Sequence, residues 1–168
     1  LDTSTTADII QGAINQFNLA EDSAMHVSDV FQKVSENMSV DFSKGINEIA
    51  QAISVSGSVA EDAGLSLEEY ASMIGTIVEK TRISGSTVGQ ALRTIFTRIT
   101  KASSSGESSD EDISKAETSL RAVGIEVRKD KDTFRELDDI LGDLAGKWEN
   151  LTDVQRSNIA YEIAGTRQ

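Results

Sequence analysis

The chain has 168 residues, enough for one domain with an apolar core or for several helical hairpins. It contains no cysteine, which excludes disulfides and thiolate metal sites, and no proline, so long uninterrupted helices are permitted. The formal net charge of −12 argues against a nucleic-acid-binding surface, because a phosphate backbone requires compensating cations.

Five stripes of apolar residues with helical spacing precede residue 102. Ser66 with Glu69 three residues later predicts a capping box at the start of the fourth helix. Gly64 is predicted to stop the third helix, and Ser86 to cap the fifth. The five stripes run over Ile10–Phe17, Val27–Met38, Phe42–Ile53, Leu67–Val78 and Val88–Ile99.

A low-complexity segment, ASSSGESSD at 102–110, follows the fifth stripe. Its serines, glycine and acids predict an exposed linker. We therefore expect an N-terminal part over 1–101, with about five helices and a basic hairpin at 79–101, and a C-terminal part of three helices over 111–168. Because the chain starts at Leu1 without a methionine, we expect it to be a fragment of a longer protein.

Three further helices are predicted in the C-terminal part. The first ends at Gly124, the second carries the stripe Phe134–Trp148, and Thr152 with Gln155 caps the third. The segment 125–127 is compatible with a short extended piece but has no evident partner strand. Short connections favour antiparallel neighbours, so the predicted fold class is all-α. We expect multiple antiparallel helical hairpins, bundle-like or elongated, with no significant β-sheet.

The sequence offers little material for chemistry. His26 is the only histidine, and no nucleophile motif accompanies it. The segment 130–132 opens like a calcium loop, but Phe134, Arg135 and Leu141 occupy positions that need oxygen ligands or a glycine. We therefore predict no catalytic residue, no cofactor and no metal site. No apolar run approaches the roughly 20 residues of a membrane span.

The charge is unevenly distributed. Residues 1–78 carry twelve acids and two bases, residues 79–101 one acid and five bases, and the remainder fifteen acids and nine bases. The basic stretch also resembles a helix-turn-helix motif over 79–93, which leaves a DNA-binding regulator as an alternative. The base-reading positions would hold small hydroxyl residues and glycine, which favours no sequence-specific nucleic acid. The possible partner-docking residues are Lys80, Arg82, Arg93, Arg98, Lys101, Arg167 and Gln168.

Two segments resemble the core region of phage tail tape measure proteins. One is the hairpin pattern formed by Ile83, Ser84, Gly85, Ser86, Gly89, Ala91, Leu92, Arg93, Arg98 and Ile99. The other runs through the last fifty residues on Leu120, Gly124, Ile125, Val127, Phe134, Arg135, Leu137, Ile140, Leu141, Leu144, Trp148, Leu151, Gln155, Ile159, Ala160, Ala164, Gly165, Arg167 and Gln168.

The resemblance implies a non-enzymatic structural protein of the virion tail, made in the bacterial host cytoplasm. Such a protein lies in the lumen of the tail tube, sets tail length, organises tube assembly and leaves on genome ejection. The implied partners are further copies of itself, for example in a trimer, the tail tube protein, tail assembly chaperones and baseplate hub or distal tail proteins. A generic acidic helical protein-interaction module is a second alternative.

Overall fold

A computed structural model describes residues 3–100, 110–130 and 133–165, with backbone alone at 110–114. These ranges contain no β-strand beyond one isolated bridge, so the all-α prediction is confirmed. Their helices are α1 (Thr3–Gln16), α2 (Ala24–Glu36), α3 (Phe42–Asp62), α4 (Leu67–Thr81), α5 (Gly85–Thr100), α6 (Asp110–Arg121), α7 (Leu137–Trp148) and α8 (Asp153–Ala164).

The chain forms two compact units, and the boundary between them along the chain falls within α5. Unit 1 covers Leu1–Arg93 and unit 2 covers Thr94–Gln168. The predicted linker at 102–110 lies almost entirely outside the described residues. The division into parts at 1–101 and 111–168 therefore stays a prediction.

Unit 1 is a set of antiparallel neighbours in which α1 and α3 run one way and α2 and α4 the other. Hydrogen bonds fix this register: the Ser58 N–H donates to Gln16 Oε1 at 2.8 Å, and the Ser39 N–H donates to Glu79 Oε2 at 2.7 Å. The core between the helices is aliphatic with a few aromatic rings. It includes Phe17, Val27, Phe31, Ile49, Ile53, Leu67, Tyr70 and Ile74.

Glycines let the helices of unit 1 approach closely. A Cβ added at Gly75 of α4 would lie 2.5 Å from Val34 Cγ1 of α2. A Cβ at Gly89 of α5 would lie 2.8 Å from the Ala52 carbonyl oxygen of α3. Both distances are below normal contact, so a larger residue would force the helices apart.

Two of the three helix-end signals predicted for unit 1 are confirmed, and the third, at α5, is wrong. Ser66 and Glu69 form the predicted capping box, and Gly64, at φ 88°, follows the end of α3 as predicted. The prediction that Ser86 caps α5 is wrong, because α5 already begins at Gly85. Ser84 holds the cap position instead, and its Oγ accepts a hydrogen bond from the Thr87 N–H at 3.4 Å.

Unit 2 packs α6, α7, α8 and the end of α5. The predicted stop at Gly124 is confirmed: its φ is 74°, and the Ile125 N–H donates to the Leu120 carbonyl at 3.0 Å. Thr152 and Gln155 form the predicted capping box of α8. The core includes Phe96, Ile99, Leu120, Ile125, Val127, Leu137, Ile140, Ile159 and Ile163.

Phe134 does not belong to a helix, contrary to the prediction from its stripe. α7 begins only at Leu137, and Phe134 instead pairs with Arg128 in an antiparallel bridge. The Arg135 N–H also donates to the Val127 carbonyl at 3.0 Å, so the buried extended piece at 125–127 does have a partner. The Arg128 guanidinium lies 5.4 Å from the Phe134 ring centroid, and this contact favours the extended pairing over another helical turn.

Candidate docking residues and their surroundings

The titratable groups of the described residues form no recognisable reaction centre. His26 is half exposed, and its Nε2 lies 3.1 Å from Glu68 Oε1 at the surface of unit 1. Within the described ranges, no group of three or more His, Cys, Asp or Glu residues is placed to hold a metal ion. Nor does any helix in that part of the chain combine the length and apolar character that a membrane crossing needs.

The most perturbed titratable group is buried and structural. The Tyr70 hydroxyl is hydrogen-bonded to Ser56 Oγ in the core of unit 1. Burial raises the pKa of Tyr70 to about 12, although the hydrogen bond with Ser56 acts in the opposite direction. Both side chains are fully buried, so no substrate can reach this hydroxyl. It serves to satisfy a polar pair between α3 and α4.

Two of the predicted docking residues lie where α4 ends. Lys80 is exposed in the last turn of α4. Arg82 follows in the left-handed conformation at φ 61°, donates to the Ser39 carbonyl at 3.3 Å and pairs with Glu79 at 3.2 Å. The backbone N–H of Ser39 holds the pKa of Glu79 below its usual value. Arg82 therefore anchors the turn before α3 as well as presenting charge to solvent.

The other predicted docking residues are either engaged within the chain or not described. Arg93 donates to the Val55 carbonyl at 3.5 Å. Arg98 donates to the carbonyls of Tyr161 and Glu162 at 3.3 and 3.1 Å. Lys101, Arg167 and Gln168 lie outside the described residues, so their role stays a prediction.

The geometry of α5 weighs against a DNA-recognition helix. Such a helix enters the major groove with its N-terminal residues. Here Gly85, Val88 and Gly89 are buried, and Gly85 and Gly89 lie against the α3 backbone. The hydroxyls expected to read bases hydrogen-bond to one another instead: Ser84 Oγ lies 3.2 Å from Ser86 Oγ and 2.9 Å from Thr87 Oγ1.

In unit 2, three cations close helix C-termini that belong to other helices. Lys147 of α7 donates to the Val123 and Gly124 carbonyls after α6. Arg156 of α8 donates to the carbonyls of Trp148 at 2.9 Å and Glu149 at 3.0 Å, at the end of α7. Arg98 of α5 does the same for α8. Each cation adds a hydrogen bond to carbonyls at or just beyond a helix C-terminus, two of which, those of Tyr161 and Trp148, also accept from a backbone N–H, and each complements the negative end of the helix dipole.

The sequence did not reveal the role of Lys147 and Arg156, because their acceptors are backbone atoms of another helix. The only indication of this role in the sequence was the position of the two cations, with Lys147 in the last turn of α7 and Arg156 in the first turn of α8. Three of the cations of unit 2 are therefore engaged with backbone carbonyls of their own unit.

Comparison with known proteins identifies the family of this chain. The family model for phage-related minor tail proteins matches residues 1–165. Because this match covers nearly the whole chain, the chain belongs to that family.

Two relatives are tape measure proteins, which confirms the resemblance seen in the sequence. The probable tape measure protein of Escherichia phage P2 is 25% identical over 143 residues, 85% of this chain and 16% of the relative. The tape measure protein of Pneumococcus phage Dp-1 is 33% identical over 100 residues, 60% of this chain and 8% of the relative. This chain thus spans a small part of the length of either relative. No solved structure matches it significantly.

Proposed function

We propose that this chain is a helical block of a phage tail tape measure protein, a structural protein of the virion tail. The observation that carries the proposal is its similarity to two tape measure proteins, alongside family membership over residues 1–165. The physical features agree with a scaffold: the described helices pack on each other, several cations close helix ends, and the described residues contain no cluster of His, Cys, Asp or Glu placed to hold a metal ion.

The proposed role of the complete protein is to set tail length and organise tail tube assembly. It would do so from within the tube lumen and would leave when the genome is ejected. An α-helix rises about 1.5 Å per residue, so the extent of a long helical protein can define where a tube ends. The helices of unit 1 fold back on one another, so unit 1 would contribute little axial length. Its part in the mechanism would be to anchor or to dock.

The proposal extends to partners, location and chemistry. The complete protein would self-associate as a homo-oligomer, for example a trimer, and contact the tail tube protein, tail assembly chaperones and baseplate hub or distal tail proteins. It would be made in the host cytoplasm and act without enzymatic activity, cofactor or sequence-specific nucleic acid. The acidic charge supports this last point, because it disfavours adhesion to the genome in the same tube.

The decisive experiment is genetic and uses the complete gene in its phage. In-frame deletions in the helical segments outside this block should shorten the tail, measured by electron microscopy, by about 1.5 Å per residue removed. A matched deletion in a neighbouring structural gene serves as the control. Tails of unchanged length, or purified tails that lack the protein by mass spectrometry, would show the proposal to be wrong.

A further inference from the structure

The helix α5 belongs to both units of the chain. Its first half, 85–93, lies in unit 1, and its second half, 94–100, lies in unit 2. The helix runs without interruption across the boundary between them. The conformation of the first half therefore bears directly on that of the second.

The first half of α5 is held on α3 by contacts along its length. The Gly85 N–H, at the start of the helix, donates to the Glu48 carboxylate. A Cβ at Gly89 would lie 2.8 Å from the Ala52 carbonyl oxygen, and one turn further Arg93 also donates to α3. The partners follow the same order along both helices, so α5 lies alongside α3 in the same direction. These interactions are called the α3–α5 contact below.

The second half of α5 has a sequence that favours a strand over a helix. Six of the seven residues at 94–100 are threonine, isoleucine or phenylalanine, which are enriched in strands. Five of the seven are β-branched, and such side chains lose rotamer freedom in a helix. No other seven-residue stretch of a described helix contains as many. Local sequence therefore does not account for the helical conformation of this segment.

The core of unit 2 requires the segment 94–100 to be helical. Phe96 is fully buried and Ile99 nearly so. Three positions apart, these side chains share one face of a helix, whereas in a strand they would point to opposite faces. Arg98 reaches the carbonyls at the end of α8 from the same turn. A change of this segment to strand or coil would therefore remove core side chains and a helix-closing cation from unit 2.

We propose that 94–100 is a conditional helix, formed because the α3–α5 contact holds the first half of α5, and that unit 2 closes only while this contact persists. Starting a helix is costly, but extending one adds a hydrogen bond for each residue that is fixed. The first half supplies the start, so the second half needs only to be added to it. Unit 1 therefore fixes the conformation of a segment that belongs to unit 2.

The α3–α5 contact is thus a point at which unit 2 can be opened from outside. If α5 leaves α3, the carboxylate of Glu48 no longer complements the start of the helix, and 94–100 loses the turns on which it extends. The coupling has a direction, because α1, α2, α3 and α4 pack on one another without residues 94–100. Opening unit 2 should therefore leave these four helices folded.

The test replaces Gly89 in the full chain. Gly89→Leu places a large side chain against the α3 backbone and forces α5 away, although leucine itself favours a helix more than glycine does. Backbone chemical shifts from NMR should leave the helical range at 94–100 and stay helical in α2 and α4. Amide hydrogen exchange at 96–100 should become at least about tenfold faster. Helical shifts that persist at 94–100 after α5 has left α3 would overturn the proposal.

Gln90→Leu is the matched control. It introduces the same side chain at the next position, which is exposed. The chemical shifts and the amide exchange of 94–100 should stay as in the unchanged chain. Loss of helix in both variants would show that leucine perturbs the segment whether or not it faces α3, and this result would contradict the proposal.

Thr97 allows the segment to be rescued through its own helix propensity. Its side chain is exposed, so Thr97→Ala favours the helix without removing a core contact. Added to Gly89→Leu, it should slow the exchange of the amides at 96–100 by about threefold. Thr97→Val keeps a β-branched side chain and should not slow it. Equal effects of alanine and valine would refute strand preference as the reason that the segment depends on unit 1.

Glu48→Ala is a milder variant that keeps the proposal testable if Gly89→Leu unfolds the whole chain. It removes the carboxylate at the start of α5, while alanine remains favourable within α3. Amide exchange at 96–100 should become about threefold faster, with the amides of α2 unchanged. Exchange at 96–100 at the rate of the unchanged chain would overturn the proposal.

Discussion

Arg98 and Gly165, which lie 67 positions apart, meet at the C-terminus of α8. The Arg98 guanidinium donates to two carbonyls there, and a Cβ at Gly165 would lie 3.0 Å from its Nη2. Gly165 has φ 83° and ψ −179°, a conformation open to glycine and strained for other residues. The pair therefore joins the two segments that resemble tape measure proteins, one containing Arg98 and the other Gly165.

Removing either partner should destabilise unit 2. Arg98→Met removes the capping hydrogen bonds and should lower the free energy of unfolding by about 1 kcal/mol. Gly165→Ala should lower it by about 1–3 kcal/mol through backbone strain. Denaturant unfolding followed by fluorescence of Trp148, the only tryptophan, reports on this unit. Arg93→Met, which removes one hydrogen bond in unit 1, is the matched control and should shift this signal less.

Two glycine substitutions should act in opposite directions. Gly89→Ala places a methyl group against the Ala52 carbonyl and should destabilise unit 1 by about 1–3 kcal/mol, because α5 must move away from α3. Gly142→Ala meets no atom within 4 Å and should stabilise α7 by about 1 kcal/mol. Circular dichroism during thermal unfolding measures both. Equal effects of the two substitutions would contradict the close packing of α3 and α5.

Alkaline pH should weaken the core through Tyr70. Its folded-state pKa is about 12 against an ordinary value of 10.0, so the unfolded chain loses this proton first as the pH rises. The stability present below pH 10 is therefore lost between about pH 10 and 12, by roughly 2–3 kcal/mol. Tyr70→Phe lacks this titration, so the stability difference between the two proteins should shrink over the same range. A constant difference would show that Tyr70 is not shielded.

Duplex DNA should not bind this chain, even at low salt. The start of α5 is packed on α3, and the net charge is −12. Fluorescence anisotropy with a labelled mixed-sequence duplex checks this expectation, with a known helix-turn-helix protein as the positive control. Binding that weakens with salt and is lost in Arg82→Ala would favour the regulator alternative.

The sequence predicts most helices of this fold because their signals are local. Apolar spacing and the capping residues Ser66, Glu69, Thr152 and Gln155 are read within one or two turns, and all four act as predicted. Phe134 misleads because its position also fits the stripe of α7, and only its pairing with Arg128 decides against a helix.

The predicted docking residues show the same limit. Basic character marks Arg93 and Arg98 as candidates, but a sequence does not tell whether a cation faces a partner or a distant carbonyl of its own chain. Their acceptors lie 38 and 63 or 64 positions away.

Because Lys147, Arg156 and Arg98 each bind the C-terminus of another helix, the contacts of unit 2 can form only in a certain order during synthesis of the chain. The carbonyls after α6 can bind Lys147 only once α7 has been synthesised, and those at the end of α7 can bind Arg156 only once α8 has begun. Arg98 can bind its acceptors only after α8 is complete. Unit 2 therefore cannot close while its last helix is still inside the ribosome. Unit 1 ends at Arg93, so all residues that pack in it are present once that position has been synthesised. It can therefore fold during translation, before the segment that follows it has left the exit tunnel.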